Sequence, residues 1–349
     1  MPASTISVRS LWKVYGPKPD RLVGSPDADR PREELEAATG NVVAMRDIEM
    51  DVAPGEVFVV MGLSGSGKST LVRCLTRLIE PTSGTVTISG VDVTAANEAQ
   101  LLDVRRNRVS MVFQHFGLLP HRSVLDNIAF GLEVRGVDRA SRLAKAGEIL
   151  GLVGLSGLGD RKPDQLSGGM QQRVGLARAL ATDPEVLLFD EPFSALDPLI
   201  RRDMQDEVIR LRAELNKTMV FITHDLSEAL RLGDRIAIMR DGRFVQVGTP
   251  AEVVGAPADD YVRNFVRDVP RSHVIAVEDV MSAPPAEVAG RATVPVGTKV
   301  RDVVRHVATS DQPVCIVDHE HRIVGSIDRA AVLAVIAGDD LHLVTAVGS

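Results

Sequence analysis

The sequence of 349 residues has few cysteines and no long apolar run. Its two cysteines, Cys74 and Cys315, cannot form a disulfide framework and are typical of a reducing compartment. No stretch approaches the roughly 18 to 20 consecutive apolar residues that a transmembrane helix requires. The first residues, MPASTISVRSLWK, also lack the apolar run of a signal peptide. We therefore expect a cytoplasmic protein.

Basic residues do not predominate either. The sequence contains 40 Lys and Arg residues and 47 Asp and Glu residues, which gives a net charge of -7. This balance argues against binding of nucleic acid or of anionic lipid as the main function, because both require a basic surface. An apolar fraction of 44% and a charged fraction of 25% are typical of globular proteins and exclude a disordered chain. The length indicates two domains, or one large domain with an appendage.

Strands and helices alternate from residue 42 to about residue 269, which predicts a mostly parallel α/β core. A strand at 5–15 precedes this region, and a Pro-, Gly- and charge-rich insertion at 16–41 contains one short predicted helix, 32–38. Residues 123–180 are mainly helical in pattern. From residue 278 onward no aromatic residue occurs and Val and Ala dominate, which indicates a second, small module. Apolar runs predict buried strands at 57–61, 109–113, 186–190, 219–223 and 235–239.

Residues 62–70, GLSGSGKST, fit the phosphate-loop pattern G-x-x-x-x-G-K-[ST] between a predicted strand and a predicted helix. Glycines let the backbone curl so that successive N–H groups point at phosphate oxygens, and the helix N-terminus adds positive potential. A Gly-rich turn that binds nothing is disfavoured by this context. Lys68 can reach the β- and γ-phosphates, and the Ser69 hydroxyl can coordinate Mg²⁺. The predicted phosphate-binding residues are Gly62, Ser64, Gly65, Ser66, Gly67, Lys68, Ser69 and Thr70.

The segment VLLFDE, 186–191, ends a predicted strand in two adjacent carboxylates. The C-terminal end of a parallel strand opens beside the phosphate loop, so Asp190 is placed to orient the Mg²⁺ shell through water. Glu191 is the candidate for polarising the attacking water beyond the γ-phosphate. A strand that ends in solvated acids is the simpler alternative, but the phosphate loop disfavours it.

LSGGMQQR at 166–173 resembles the signature of ATP-binding-cassette ATPases. The phosphate loop, Gln114, SALD at 194–197 and His224 complete the set in the order of that family, from about residue 6 to residue 269. The resemblance implies a P-loop cassette ATPase with a mostly parallel core sheet, an antiparallel β part and a helical subdomain at about 115–175. It also implies a homodimer, in which residues 166–170 of one subunit contact ATP held by the phosphate loop of the other.

The same resemblance implies roles for individual residues. The catalytic set would be Glu191, His224, Gln114 and Lys68. Gln114 would also coordinate Mg²⁺ together with Ser69 and Asp190, and His224 would contact the γ-phosphate and hold Glu191. Ser167, Gly168 and Gly169 would contact ATP, since they supply a hydroxyl and exposed amides before a helix, and Asp197 would communicate across the dimer. Tyr15 matches the aromatic that stacks on adenine, with a purely structural tyrosine as the alternative.

Further segments resemble the ATPase of glycine betaine/proline importers, among them LIEPTSG, MVFQHFGLLPHRSVLDN, SALDPLIRRDMQDE, FITHDLSEALRLGDRIAIM and VQVGTP. This resemblance implies the energy-coupling subunit of an importer for a quaternary-amine osmolyte, peripheral on the inner face of the cell membrane. Its partners would be transmembrane permease subunits and, indirectly, an extracytoplasmic solute-binding protein. The alternatives are a cassette for another small solute, such as an amino acid, and a soluble cassette acting on DNA or ribosomes. The last is disfavoured by the acidic net charge and by a single cassette.

The permease is expected to dock near residues 114–127. Phe116, Leu118 and Leu119 look exposed there beside Pro120, which predicts a socket for a short cytoplasmic helix. Internal packing of these apolar side chains is the alternative.

Residues 278–338 resemble a single CBS motif, with EDVMSAPP, a helix near 300–308, PVCIVD, the turn HEHR and IVGSIDRAAVL. The predicted domains are a cassette at 1–269, a linker at 270–277 and a small α/β CBS-like regulatory tail at 278–349. Two CBS motifs normally pair around an adenine-nucleotide cleft, so a single motif implies pairing between two chains or loss of the ligand. Asp328 is the candidate ribose-binding acid. His319 and His321 are better explained by a polar turn than by a metal site.

Overall fold

The computed structural model describes residues 4–114, 117–288, 290–309 and 312–338. The described residues up to Phe244 form one compact unit, and those from Val245 onward form a second. Within these ranges no helix is both long enough and apolar enough to cross a membrane. The domain boundaries at 269 and 278 stay a prediction.

The strands of the first unit, with the one that leads out of it, are β1 (Ile6–Tyr15), β2 (Val42–Val52), β3 (Val57–Met61), β4 (Ser83–Ile88), β5 (Val91–Asp92), β6 (Val109–Phe113), β7 (Val186–Asp190), β8 (Thr218–Thr223), β9 (Arg235–Arg240) and β10 (Arg243–Gly248). Its helices are α1 (Arg32–Thr39), α2 (Lys68–Leu75), α3 (Glu98–Asp103), α4 (Val124–Val134), α5 (Arg139–Leu152), α6 (Gly168–Ala181), α7 (Pro198–Leu215) and α8 (Leu226–Leu232). The five strands expected from the sequence are all present, but β6 is only partly buried because it lies at an edge of its sheet.

A six-stranded sheet has the order β10-β9-β3-β8-β7-β6. The pairs β9/β3, β3/β8, β8/β7 and β7/β6 are parallel. Every residue of β3, β7 and β8 is buried, which explains their apolar sequences, since a parallel sheet is covered on both faces. The carboxyl ends of β3 and β7 therefore meet at one edge, and this edge carries the phosphate loop and Asp190. The predicted mostly parallel core is confirmed.

A second sheet is antiparallel and has the order β2-β1-β4-β5. Its inner side chains share one apolar core with α2 and the parallel sheet, and Ile48, Val86, Leu71 and Val60 belong to that core. The predicted antiparallel part is confirmed.

The insertion after β1 forms a small apolar core together with two side chains of β1. Two short 3-10 turns, Pro19–Leu22 and Pro26–Asp29, precede α1. Gly40 ends α1 in the left-handed conformation, and its N–H donates to the Glu36 carbonyl. The buried side chains of this core are Trp12, Val14, Leu22, Ala28 and Leu35.

Helices α4, α5 and α6 pack on one another and form the predicted helical region. Asp138 caps α5 by accepting hydrogen bonds from the N–H groups of Ala140 and Ser141, both at 3.0 Å. Leu118 and Leu119 are half-buried. The Asn127 side chain accepts a hydrogen bond from the Leu119 N–H at 2.7 Å and donates one to the Leu119 carbonyl at 3.1 Å. Phe116 lies outside the described residues.

The second unit contains strands β11 (Thr293–Pro295), β12 (Val314–Val317) and β13 (Ile323–Ile327). Its helices are α9 (Pro250–Gly255), α10 (Asp260–Val266), α11 (Arg271–Val274), α12 (Val300–Thr309) and α13 (Arg329–Ala337). β11 is parallel to β12, and β12 is antiparallel to β13.

Two features of this unit bear on the sequence predictions. Ile275 and Val277 of the predicted linker are fully buried in the apolar core that contains Val303, Ile316 and Val335. His319 and His321 lie in the turn between β12 and β13, as predicted, and Asp328 caps α13 by accepting from the Ala331 N–H at 2.8 Å. The CBS-like identity of this unit stays a prediction.

Candidate nucleotide site

The phosphate loop connects β3 to α2 and is shaped by two glycines. Gly62 has φ +159° and Gly67 has φ +112°. A Cβ atom on Gly62 would lie 2.2 Å from the Met239 carbonyl oxygen, and one on Gly67 would lie 2.4 Å from the Ala44 carbonyl oxygen. Both obstacles are backbone atoms of neighbouring strands, so only glycine fits. The loop is therefore held in its curl by β2 and β9.

Lys68 begins α2 and is only 4% exposed. Its Nζ donates to the carbonyl oxygens of Gly62 and Leu63 at 2.8 and 3.1 Å. Glu191 Oε1 lies 3.9 Å from the same nitrogen. Burial lowers the pKa of Lys68, while the charges of Glu191 and Asp190 oppose that shift. The loop thus fixes a buried cation at its centre.

The Ser66 hydroxyl is buried and has no hydrogen-bond partner among the described residues. A buried polar atom of this kind normally finds a partner, because leaving it unpaired costs about 1–3 kcal/mol. Together with the buried ammonium of Lys68, it makes the loop a chemically suitable cradle for phosphate oxygens.

Ser69 and Asp190, both predicted Mg²⁺ residues, are in direct contact. Ser69 Oγ donates to Asp190 Oδ1 at 3.0 Å. Asp190 is buried at the end of β7, and Arg73 Nη2 lies 3.8 Å from its Oδ2. A hydroxyl and a carboxylate are hard oxygen ligands, which suit Mg²⁺. Arg73, which the sequence analysis did not select, lies on α2, and its position beside Asp190 depends on the packing of that helix against β7.

Glu191 and His224 are also brought together. His224 Nδ1 lies 3.0 Å from Glu191 Oε2. Glu191 has φ +47°, a strained conformation for a residue with a side chain. Its backbone is held from both sides, since its N–H donates to the Ile222 carbonyl and its own carbonyl accepts from Ser194 Oγ at 3.0 Å. The Glu191 carboxylate lies between His224 Nδ1 at 3.0 Å and Lys68 Nζ at 3.9 Å.

A cleft of about 290 Å³ opens over the loop, lined by Tyr15, Val42, Ala44, Ser64, Gly65, Gly67, Lys68, Ser69, Thr70 and Glu191. Tyr15 is partly exposed at this cleft, and Lys13 Nζ lies 4.8 Å from its ring centre. The structure therefore places the candidate adenine-stacking residue beside the phosphate loop. Val42 was not selected from the sequence, and its place opposite Tyr15 follows from the pairing of β1 with β2. Gln114 and His224 are not among the lining residues.

The signature residues lie outside this cleft, at the start of α6. Ser167 and Gly168 are exposed, and Ser167 Oγ accepts from the Met170 N–H. A Cβ on Gly169 would lie 2.3 Å from Ile200 Cγ2, so the first turns of α6 and α7 are in close contact. Asp197, also exposed, caps α7 by accepting from the Ile200 N–H at 3.1 Å. The signature and Asp197 thus occupy one surface of the chain, apart from its own phosphate loop.

Comparisons with known proteins agree with this geometry. A protein-family model described as "ABC transporter" matches residues 45–194. The glycine betaine/carnitine transport ATP-binding protein of Listeria monocytogenes is 51% identical over 281 residues, which cover 80% of this chain and 71% of the relative. The glycine betaine/proline betaine transport system ATP-binding protein of Escherichia coli is 50% identical, with 81% and 71% covered. The trimethylamine N-oxide transport system ATP-binding protein of Ruegeria pomeroyi is 46% identical, with 96% and 98% covered.

A solved structure gives the same result for the fold. It is an ATP-binding cassette described as dimeric, in a post-hydrolysis state with bound ADP and Pi. The two chains match with a TM-score of 0.58 at 30% sequence identity. The matched region covers 70% of this chain and 98% of that structure. The phosphate loop, the carboxylates at the end of β7 and the extended similarity to these relatives lead to one conclusion: the chain belongs to the ATP-binding proteins of ABC transporters and has their P-loop cassette fold.

Proposed function

We propose that this chain is the ATP-hydrolysing subunit of a membrane importer for fully substituted amines, the class that contains glycine betaine, proline betaine and trimethylamine N-oxide. The observation that carries the solute class is the higher identity to the amine relatives, together with the extent of one match. The betaine relatives are 50–51% identical over 80–81% of the chain, and the trimethylamine N-oxide relative matches 96% of it, including most of the second unit. Sulfate/thiosulfate import relatives from Thermosynechococcus vestitus and Nocardia farcinica are 44% and 42% identical and match 68% and 78% of the chain. This difference favours the amine importers over importers of other small solutes.

The site supports ATP hydrolysis by water. Lys68 and the backbone N–H groups of the loop bind the phosphates, and Tyr15 offers a face for adenine. Glu191 polarises the attacking water and accepts its proton, and His224 holds the Glu191 carboxylate through their 3.0 Å contact. Ser69, Asp190 and Gln114 would hold Mg²⁺, which neutralises charge on the β- and γ-phosphates when bound.

We propose that two copies of the chain form two composite sites. Ser167, Gly168, Gly169 and Asp197 are then supplied by the second copy, which accounts for their place outside the cleft of their own chain. Each helix start offers N–H groups to an anion, so the signature adds a second anion-binding element to the first. The active unit is therefore a homodimer.

The permease is proposed to dock on an apolar groove of about 320 Å³ beside the predicted segment 114–127. Exposed Leu78, Phe113 and Val134 belong to this groove, and Arg105 and Arg106 lie at it. An apolar floor with cationic side chains suits a short cytoplasmic helix that carries both apolar and acidic residues. This docking would keep the subunit peripheral on the inner face of the membrane, with the extracytoplasmic solute-binding protein as an indirect partner.

The second unit is proposed to be a CBS-like regulatory tail. From Thr293 onward its described elements follow the order β11, α12, β12, β13 and α13, which supports the motif read from the sequence. Residues 278–338 would associate between the two chains, where an adenine nucleotide or the ionic strength could act as the signal.

The test of the solute class is transport by the purified complex of this chain with its permease in proteoliposomes. We expect ATP-dependent uptake of radiolabelled glycine betaine or trimethylamine N-oxide, and none of sulfate. A complex that contains Glu191→Gln is the control and should transport neither. Uptake of sulfate or of an amino acid without uptake of either amine would refute the assignment.

A further inference from the structure

A buried carboxylate lies behind the hydrolytic site. Glu228, on α8, is 5% exposed. Thr223 Oγ1 donates to Glu228 Oε2 at 2.6 Å and accepts from the Asp225 N–H at 3.0 Å. The residues on both sides of His224 are therefore tied to this carboxylate through one hydroxyl.

Arg201 extends the cluster to the 194–197 loop. Its Nη2 donates to the Leu196 carbonyl at 3.2 Å, and its Nη1 donates to Asp225 Oδ2 at 3.3 Å. Its Nε lies 3.8 Å from Glu228 Oε1 and has no hydrogen-bond partner among the described residues although it is buried. One guanidinium thus connects the loop before α7, the turn after β8 and the buried carboxylate.

The cluster also reaches Glu191 from two directions. His224 Nδ1 contacts the Glu191 carboxylate, and Ser194, in the same loop as Leu196, donates to the Glu191 carbonyl. A shift of Arg201 or Thr223 would therefore displace the carboxylate that polarises water.

Burial of the charged Glu228 carboxylate costs free energy, and packing alone does not require a charged group at this position. Burial raises the pKa of Glu228, and the neighbouring charge of Asp225 raises it further, while Thr223, Arg201 and His224 oppose the shift. A neutral side chain of the same shape would be easier to bury. Ionisable groups held in such surroundings concentrate at functional sites.

We propose that Glu228 is a positioning residue for ATP hydrolysis: it holds His224 through Thr223 and the 194–197 loop through Arg201, so that the two segments keep Glu191 in place together. Glu228 touches neither the nucleotide nor the water. The proposal rests on the proposed hydrolysis at Glu191, and it adds a link between that site and the loop expected to meet the second subunit.

The test is Glu228→Gln in the full chain, which keeps the shape and removes the charge. We expect kcat for ATP hydrolysis to fall by about tenfold, less than the ~100-fold that a 1 Å misplacement can cost. KM for ATP should not change, and the variant should unfold at the same or a higher urea concentration. Arg231→Gln is the matched control, because Arg231 also lies on α8 and bonds α7 residues, Gln205 and Asp206, without touching the cluster. Its kcat should equal that of wild type.

A double-mutant cycle separates positioning from a general structural role. With His224→Ala in place, Glu228→Gln should lower kcat by clearly less than about tenfold, because one of its two links to Glu191 is gone. A wild-type kcat in Glu228→Gln, an equal loss in both backgrounds, or a loss matched by reduced stability would overturn the proposal. Failure of the underlying function looks different: wild-type protein would not hydrolyse ATP, or Glu191→Gln would retain turnover.

Discussion

Replacing Gly67 with alanine tests whether the phosphate loop binds nucleotide through its backbone. The new Cβ would lie 2.4 Å from the Ala44 carbonyl oxygen and 2.8 Å from Met239 Cε. The methionine end can move, but the carbonyl belongs to β2. A close C···O contact in proteins is about 3.3 Å, so the loop must shift by about 1 Å. A 1 Å shift is enough to break the hydrogen bonds that loop N–H groups would give to phosphate oxygens.

We therefore expect Gly67→Ala to weaken binding of a fluorescent ATP analogue by at least about tenfold, the loss of roughly one charge-assisted hydrogen bond. The strained φ of +112° should also lower the free energy of unfolding by about 1–3 kcal/mol. Gly90→Ala is the control, since Gly90 has φ +79° but its Cβ would meet open space. Gly90→Ala should lower the free energy of unfolding by about 1–2 kcal/mol and leave ATP affinity unchanged. Wild-type affinity in Gly67→Ala would refute the account of the loop.

Three further outcomes are expected. Leu35→Ala should lower the free energy of unfolding by about 2–4 kcal/mol in urea titrations, because Leu35 is 1% exposed in the core of the insertion; an effect near zero would contradict that core. Cys74 should resist alkylation of the native protein at about pH 8, because burial raises the pKa of its thiol to about 12; mass spectrometry would show any label. Because the pKa of Glu228 is raised in the folded state, the free energy of unfolding of wild type falls as the pH rises above the pKa of an ordinary glutamate. The stability advantage of Glu228→Gln should therefore grow from about pH 5 to about pH 8 in urea unfolding, and a pH-independent difference would contradict the shift.

The sequence was most informative where one physical requirement determines the residue types. Strands of a parallel sheet are covered on both faces, so VFVVM and VLLFD could be recognised as apolar runs. Gly62 and Gly67 could be recognised because a curled backbone excludes a Cβ at both positions. Lys68, Ser69 and Asp190 then followed from their place at the ends of two such strands.

Features that depend on long-range packing were not predictable. Glu228 and Arg201 look like ordinary charges on amphipathic helices, and only the packing of α7 against α8 buries the carboxylate beside the guanidinium. Ile275 and Val277 belong to an apolar run of only four residues, 274–277, which is too short to reveal their place in the core of the second unit. Val42 reaches the cleft only because β2 pairs with β1 across the insertion.

The central claim is that Glu191 activates water for hydrolysis of ATP held by Lys68 and the loop. The most direct measurement is single-turnover hydrolysis by Glu191→Gln, alongside its affinity for ATP and a Lys68→Ala variant. We predict that Glu191→Gln binds ATP with wild-type affinity and hydrolyses it at least about 100-fold more slowly, since only the base has been removed. Lys68→Ala should lose affinity instead. Hydrolysis by Glu191→Gln at the wild-type rate would contradict the claim.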